Sequence, residues 1–178
     1  MTDNTITTAN ENVEERAAKV QGIILDVDGV LSDGRITYTS DGQELKSFHV
    51  QDGASIKLLA KHGITIGIVT GRHSVMVERR ASELGIKHLA QGAASKPEAL
   101  ASLIDAGFPD NNLCAIGDDL QDLSLFALPS VCLRATVRNA HPSVIAQADF
   151  VTERAGGDGV IVELAMLILR AQGLWEHN

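Results

Sequence analysis

The segment Gly22-Ile23-Ile24-Leu25-Asp26-Val27-Asp28-Gly29-Val30 sets two carboxylates directly after an unbroken apolar run. Ile23, Ile24 and Leu25 do not alternate with polar residues, so they predict a strand covered on both faces, as in a parallel sheet. A carboxylate that follows such a strand without a spacer is desolvated unless it is paired or bound to a cation. Gly29 permits a sharp turn, which takes Asp26 and Asp28 out of the regular geometry in which residues i and i+2 share a face. One carboxylate can then point at a substrate while the next reaches around it. Taken alone, the pair also fits a solvated strand end.

The same pattern recurs along the chain. Residues 64–71, ITIGIVTG, read as a second buried strand, KHLAQG (87–92) as a third and NLCAIGDD (112–119) as a fourth. Between them, DGASIKLLAKHG (52–63) has helical spacing, residues 74–84 form a helix closed by Gly85, and residues 95–107 form a helix with Ser95 as its cap and Pro97 in its first turn. QDLSLFAL, SVCLR, NAHPSVIAQA, DFVT and DGVIVELAMLILRAQG continue the alternation of helix and strand. This order predicts an α/β fold, a doubly wound parallel sheet of Rossmann-like type with helices on both faces. A short helix is expected within residues 10–20, a disordered tail over 1–9 and a single domain over 10–178. The stretch ITYTSDGQELKSFHV alternates around Asp41-Gly42, a strong hairpin signal. The hairpin, at 35–49, follows the first strand's carboxyl end, where ligands sit in open α/β sheets, so it is placed to act as a flap.

Four signals with chemical content fall at the carboxyl ends of the four strands: Asp26 and Asp28, Thr70-Gly71-Arg72, Lys96 and Asp118-Asp119. They set acids, a hydroxyl and an ammonium around one rim. Hard carboxylate oxygens suit Mg²⁺, and an acid cluster without His or Cys disfavours zinc. Thr70 offers a hydroxyl, and Gly71 lets backbone amides approach a phosphate. Lys96 opens a helix, where the macrodipole disfavours a cation; a phosphoryl group between them would relieve the conflict. The ordinary reading of Lys96 is a solvated surface side chain.

The chain of 178 residues is 44% apolar and 3% aromatic, so its core is built from Ile, Leu, Val and Ala. A net charge of −8 disfavours nucleic acid and repels anionic substrates at long range, so a phosphate site needs local positive charge. Cys114 and Cys132 lie in short apolar segments and are expected to be buried, reduced thiols. The polar, acidic N-terminus is not a signal peptide, and the longest apolar run, Leu164 to Leu169, is too short to span a bilayer. A cytoplasmic location is expected, with no membrane partner. The six histidines show no metal-ligand spacing. Asp122 is expected to be a rim or capping acid, and Gly156 and Gly157 to lie in a loop near the site.

The ordered set D-x-D-G (26–29), Thr70, Lys96 and Asp118-Asp119 resembles the haloacid dehalogenase phosphatase superfamily. LDVDGVLSDG, HVQDG, IVTGR, GDDLQDL and AHPSVIAQADFVTERAGGDGVIVE are similar to its 3-deoxy-D-manno-octulosonate 8-phosphate phosphatase branch, which has no separate cap domain. The resemblance implies a Mg²⁺-dependent phosphatase in lipopolysaccharide precursor biosynthesis. It makes Asp26 the nucleophile and Asp28 the acid and base. Thr70 and nearby amides hold phosphate oxygens, and Lys96 offsets charge on the transferring group. Asp26, the carbonyl of Asp28 and Asp118 hold the metal, with Asp119 supporting. Arg72 and Arg80 become candidates for the substrate carboxylate. The resemblance further implies a homotetramer in which the flap packs against neighbours. The alternatives are a phosphatase of a nine-carbon sugar acid phosphate and a catalytically dead binding module. A receiver domain fits less well, because its nucleophile ends a later strand than its acid pair.

Overall fold

Gly22–Leu25 form β1, buried throughout. In the computed structural model, which describes residues 12–176, β1 pairs in parallel along both edges, with β4 (Thr65–Val69) and β6 (Leu113–Ile116). Leu25 stands opposite Ile68 on one side and Ile116 on the other, so all three strands run out at one level. Asp26, Thr70 and Asp118 therefore emerge on the same lip.

The sheet is completed by β5 (His88–Ala90), β7 (Val131–Thr136) and β8 (Phe150–Val151), in the order β5-β4-β1-β6-β7-β8, every pairing parallel. On one face α7 (Val160–Ala171) packs on α1 (Val13–Lys19) and α2 (Val50–Lys61); α4 (Lys96–Asp105) packs on α5 (Leu123–Phe126) and on the β4–β5 edge. Helices α3 (Val75–Leu84) and α6 (Pro142–Ile145) complete the winding. The core joins Ile23, Leu25, Ile56, Leu133, Leu164 and their neighbours, with Phe108 and Phe126 as its buried aromatics. No described helix is long and apolar enough to cross a membrane.

Local signals account for the ends of the elements. Asn12 and Glu15 close a capping box on α1, and Ser95 accepts the Glu98 amide at the start of α4. The hairpin expected over 35–49 is present but short: β2 (Thr37–Tyr38) pairs antiparallel with β3 (Glu44–Leu45) around the Asp41-Gly42 turn. Of the helix expected over 10–20, Val13–Lys19 is observed; residues 10 and 11, and the tail expected over 1–9, lie outside the described residues. Cys114 is buried, but Cys132, expected to be buried, is only partly so: on β7 it alternates with buried residues and its thiol faces the Arg16 carbonyl.

Candidate active site

The Asp26 amide donates to the Ile116 carbonyl at 3.0 Å, which locks the nucleophile candidate to the end of β6. The chain then makes an irregular turn over Val27–Leu31, with Gly29 at φ +94°. A Cβ on Gly29 would lie 2.0 Å from an Asp118 carboxylate oxygen, so glycine is what lets Asp118 rest against this turn. Behind it, a Cβ on Gly156 would sit 1.7 Å from the Gly29 carbonyl oxygen, and the Gly157 amide donates to Val30 at 2.8 Å. The 155–158 loop thus braces the Asp26–Asp28 turn from outside, which gives Gly156 and Gly157 a specific task.

Lys96 is not a surface residue. It is 5% exposed, its Nζ lying 3.1 Å from Asp26 Oδ1 and 2.5 Å from Asp122 Oδ1. Asp122 is the capping acid that sequence allowed, but buried and not at an exposed rim: it is 1% exposed, and its other oxygen accepts the Asp118 and Asp119 amides at 3.0 and 3.1 Å. The signal was an acid set directly before Leu123, Leu125 and Phe126, where a carboxylate needs a buried partner.

Carboxylate oxygens of Asp26, Asp118 and Asp122 lie within 4.8 Å of one another. Asp122 is already committed to Lys96 and two amides. Asp118 Oδ1, by contrast, is buried with no hydrogen-bond partner. Burial first, then the charges of Asp26, Asp122 and Asp119, push the Asp118 carboxyl up to about 7. Burial and Asp122 push Asp26 up to about 6 against the pull of Lys96. Burial would lower the Lys96 ammonium, but the two carboxylates beside it more than offset this and raise it. Crowded, under-neutralised oxygens of this kind fit a hard dication such as Mg²⁺.

That electrostatic picture fixes a pH dependence. Both carboxyls keep protons in the fold at pH values where the unfolded chain has lost them, so metal-free stability falls as pH rises through about 6 to 7. A dication binds only the ionised forms, so its stabilising effect grows over the same window. Thermal melts are expected to show a small Mg²⁺ increment at about pH 5.5 and one of several degrees at about pH 8, the latter lost in Asp118→Asn. An equal increment at both values would contradict the assignment.

The remaining candidates, Arg80 excepted, line one cleft with Asp26, Lys96 and Asp118. Thr70 is buried, its amide donating to Ala90 and its carbonyl accepting from Ala93, while Gly71 is exposed at the lip. Asp119 lines the cleft too, with its side chain spent on capping the Leu120 amide. Arg72 also lines it, and its Nη2 lies 2.8 Å from Glu44 of the flap. Asp28 pairs with the Lys46 ammonium through Oδ1 and lies 3.6 Å from Arg72 Nε through Oδ2. Sequence reading missed Lys46. In a hairpin Glu44 and Lys46 share one face, and the signal was this alternation beside an acid pair.

A family model described as haloacid dehalogenase-like hydrolase matches residues 88–164. The 3-deoxy-D-manno-octulosonate 8-phosphate phosphatase KdsC of Escherichia coli K12 is 42% identical over 163 residues, 91% of this chain and 86% of that one. The chain belongs to the haloacid dehalogenase-like hydrolases. Among solved members, the Moraxella catarrhalis 3-deoxy-D-manno-octulosonate 8-phosphate phosphatase, in complex with magnesium ion, phosphate ion and KDO, superposes with a TM-score of 0.84 at 41% identity, covering 90% of this chain and 92% of that one. The cobalt-bound Haemophilus influenzae enzyme gives 0.82 at 36%, covering 89% and 92%.

For a haloacid dehalogenase-like hydrolase, one expected residue stands apart. Arg80 does not line the cleft of its own chain. Its guanidinium lies 5.8 Å above the Phe48 ring, reaches the His49 carbonyl at 3.4 Å and pairs with Glu83. It packs against Gly53 of α2, where a Cβ would be 2.3 Å from Nη2. The helix face that sequence put near the cleft is turned toward α2 and the flap base instead.

Proposed function

We propose that the chain is a Mg²⁺-dependent phosphatase that converts 3-deoxy-D-manno-octulosonate 8-phosphate to the free sugar acid and phosphate. The observation that carries it is the buried Asp26 carboxylate, set between the Lys96 ammonium and the unpartnered oxygen of Asp118. Identity to the named phosphatases over nearly the whole chain supports the substrate.

The positions support the mechanism that the family resemblance implies. An Asp26 oxygen attacks phosphorus in line; its bond to phosphorus forms as the bond to the sugar oxygen breaks. Asp28 gives its proton to the departing oxygen, then takes one from the water that hydrolyses the aspartyl-phosphate. Thr70 and the amides after β4 hold phosphate oxygens. Lys96 orients Asp26 and offsets charge on the transferring group. Asp26, Asp118 and the Asp28 carbonyl would hold Mg²⁺, which supplies the positive charge that lets carboxylates and a phosphate dianion share the cleft. Arg72 takes the substrate carboxylate by exchanging Glu44 for it. Arg80 can meet that carboxylate only from a neighbouring subunit.

Assembly fits the same reading. On the flap Tyr38 is 62% exposed, Ile36 and Leu45 are exposed too, and Val50 at the flap base is 80% exposed. Exposed apolar side chains on this element suit burial against further copies, as a homotetramer would provide. The acidic chain has no basic surplus for nucleic acid, and a cytoplasmic location is in keeping with the reaction.

A panel of sugar phosphates, with and without Mg²⁺, tests the proposal by phosphate release. The eight-carbon 8-phosphate is expected to turn over faster than a nine-carbon 9-phosphate, and chelation to stop both. Preference for the nine-carbon substrate would overturn the substrate, and release that survives chelation would overturn the metal.

A further inference from the structure

The flap sends an ammonium group under the acid/base candidate. Lys46 follows β3, and although the hairpin is otherwise largely exposed, its side chain is only 2% exposed. A lysine is seldom buried without a partner. Here the partners are Asp28 Oδ1, in direct ion-pair contact, and Glu44 at 3.8 Å. Ser32 Oγ lies 3.4 Å from the same Asp28 oxygen. On the other side, Arg72 Nε is 3.6 Å from Asp28 Oδ2 and forms no hydrogen bond. Asp28 is thus gripped at Oδ1, while Oδ2 faces Arg72 on the cleft side. Lys46 does not itself line that cleft, so it acts through Asp28 and not on the phosphate.

We infer that Lys46 is a positioning residue for Asp28, through which the flap sets the orientation of the carboxyl that protonates the leaving group. This rests on Asp28 being the acid and base of the proposed reaction. In the first step the Asp26–phosphorus bond forms, the phosphorus–sugar oxygen bond breaks, and the proton of Asp28 passes to the sugar oxygen. An alkoxide leaves badly without that proton, whereas p-nitrophenolate leaves without it. A misaligned Asp28 should therefore be felt in proportion to the leaving group's need. The ratio kcat/KM isolates this step, because it covers events only up to leaving-group departure and excludes hydrolysis of the aspartyl-phosphate.

The experiment compares Lys46→Met with the unmodified enzyme on the sugar acid phosphate and on p-nitrophenyl phosphate, both with saturating Mg²⁺. The expected loss in kcat/KM is roughly 30-fold on the sugar substrate and under about threefold on the aryl one, a fraction of what a full general acid contributes. Lys46→Arg is expected to recover most of the loss. In an Asp28→Asn background, Lys46→Met should cost nothing further. Equal losses on both substrates, or a further loss on top of Asp28→Asn, would overturn the inference and mark Lys46 as a structural or substrate-binding residue. If methionine unfolds the hairpin, as a thermal melt would show, Lys46→Gln carries the same comparison. An unmodified enzyme inactive on both substrates would instead sink the proposed function, so the two failures are distinct.

Discussion

Asp26→Asn is expected to abolish phosphatase activity, by roughly 10⁴-fold or more, while leaving the fold intact. Asparagine has the shape of aspartate, and the backbone bond from residue 26 to Ile116 does not involve the side chain. What is lost is the oxygen nucleophile, since an amide does not form a stable acyl phosphate. The stability prediction is less intuitive. Burial and Asp122 hold the Asp26 carboxyl up at about 6, above its unfolded value, so the ionised form costs stability once pH exceeds that figure. Asparagine removes the cost, and Lys96 keeps Asp122 as its partner. Metal-free Asp26→Asn should therefore melt no lower than the unmodified protein at about pH 8, and gain less from Mg²⁺. Activity within about tenfold of the unmodified enzyme would remove Asp26 from its role.

Convergence of the site was legible because topology does the assembling. In an open parallel sheet every strand points its carboxyl end to one lip, so residues far apart in sequence meet if each ends a central strand. Asp26, Thr70 and Asp118 satisfy that condition on β1, β4 and β6, and the in-register pairing of those strands puts them level. Lys96 was legible as an anomaly, a cation at the positive end of a helix. Residues whose role is a tertiary contact were not legible. Lys46 meets Asp28 across 18 residues and Asp122 meets Lys96 across 26, so local pattern could flag each residue but not name its partner. Arg80 shows the converse limit. Its place on α3 was readable, but the direction of its side chain is set by Gly53 on α2 and by Phe48 just before that helix.

Lys96→Met should be costly in both stability and rate, and the two costs separate. The ammonium is the positive charge that directly contacts Asp26 and Asp122, and it also pulls down Asp118. Methionine fills similar volume but leaves buried carboxylates facing one another, a change worth about 3–5 kcal/mol of destabilisation. Asp26 and Asp118, already raised to about 6 and 7, then rise further. Ionisation of the nucleophile is then disfavoured, and the transferring phosphoryl group loses a fixed counter-charge. Together these effects should lower kcat by roughly a thousandfold, with residual activity climbing toward alkaline pH. A second substitution tells the roles apart. Asp122→Asn in the Lys96→Met background removes one unpaired charge while keeping an oxygen for the Asp118 and Asp119 amides. That double variant is expected to regain much of the lost melting temperature and none of the lost turnover. If activity returned along with stability, Lys96 would be a scaffold for the acid cluster and not part of the machinery that moves phosphate.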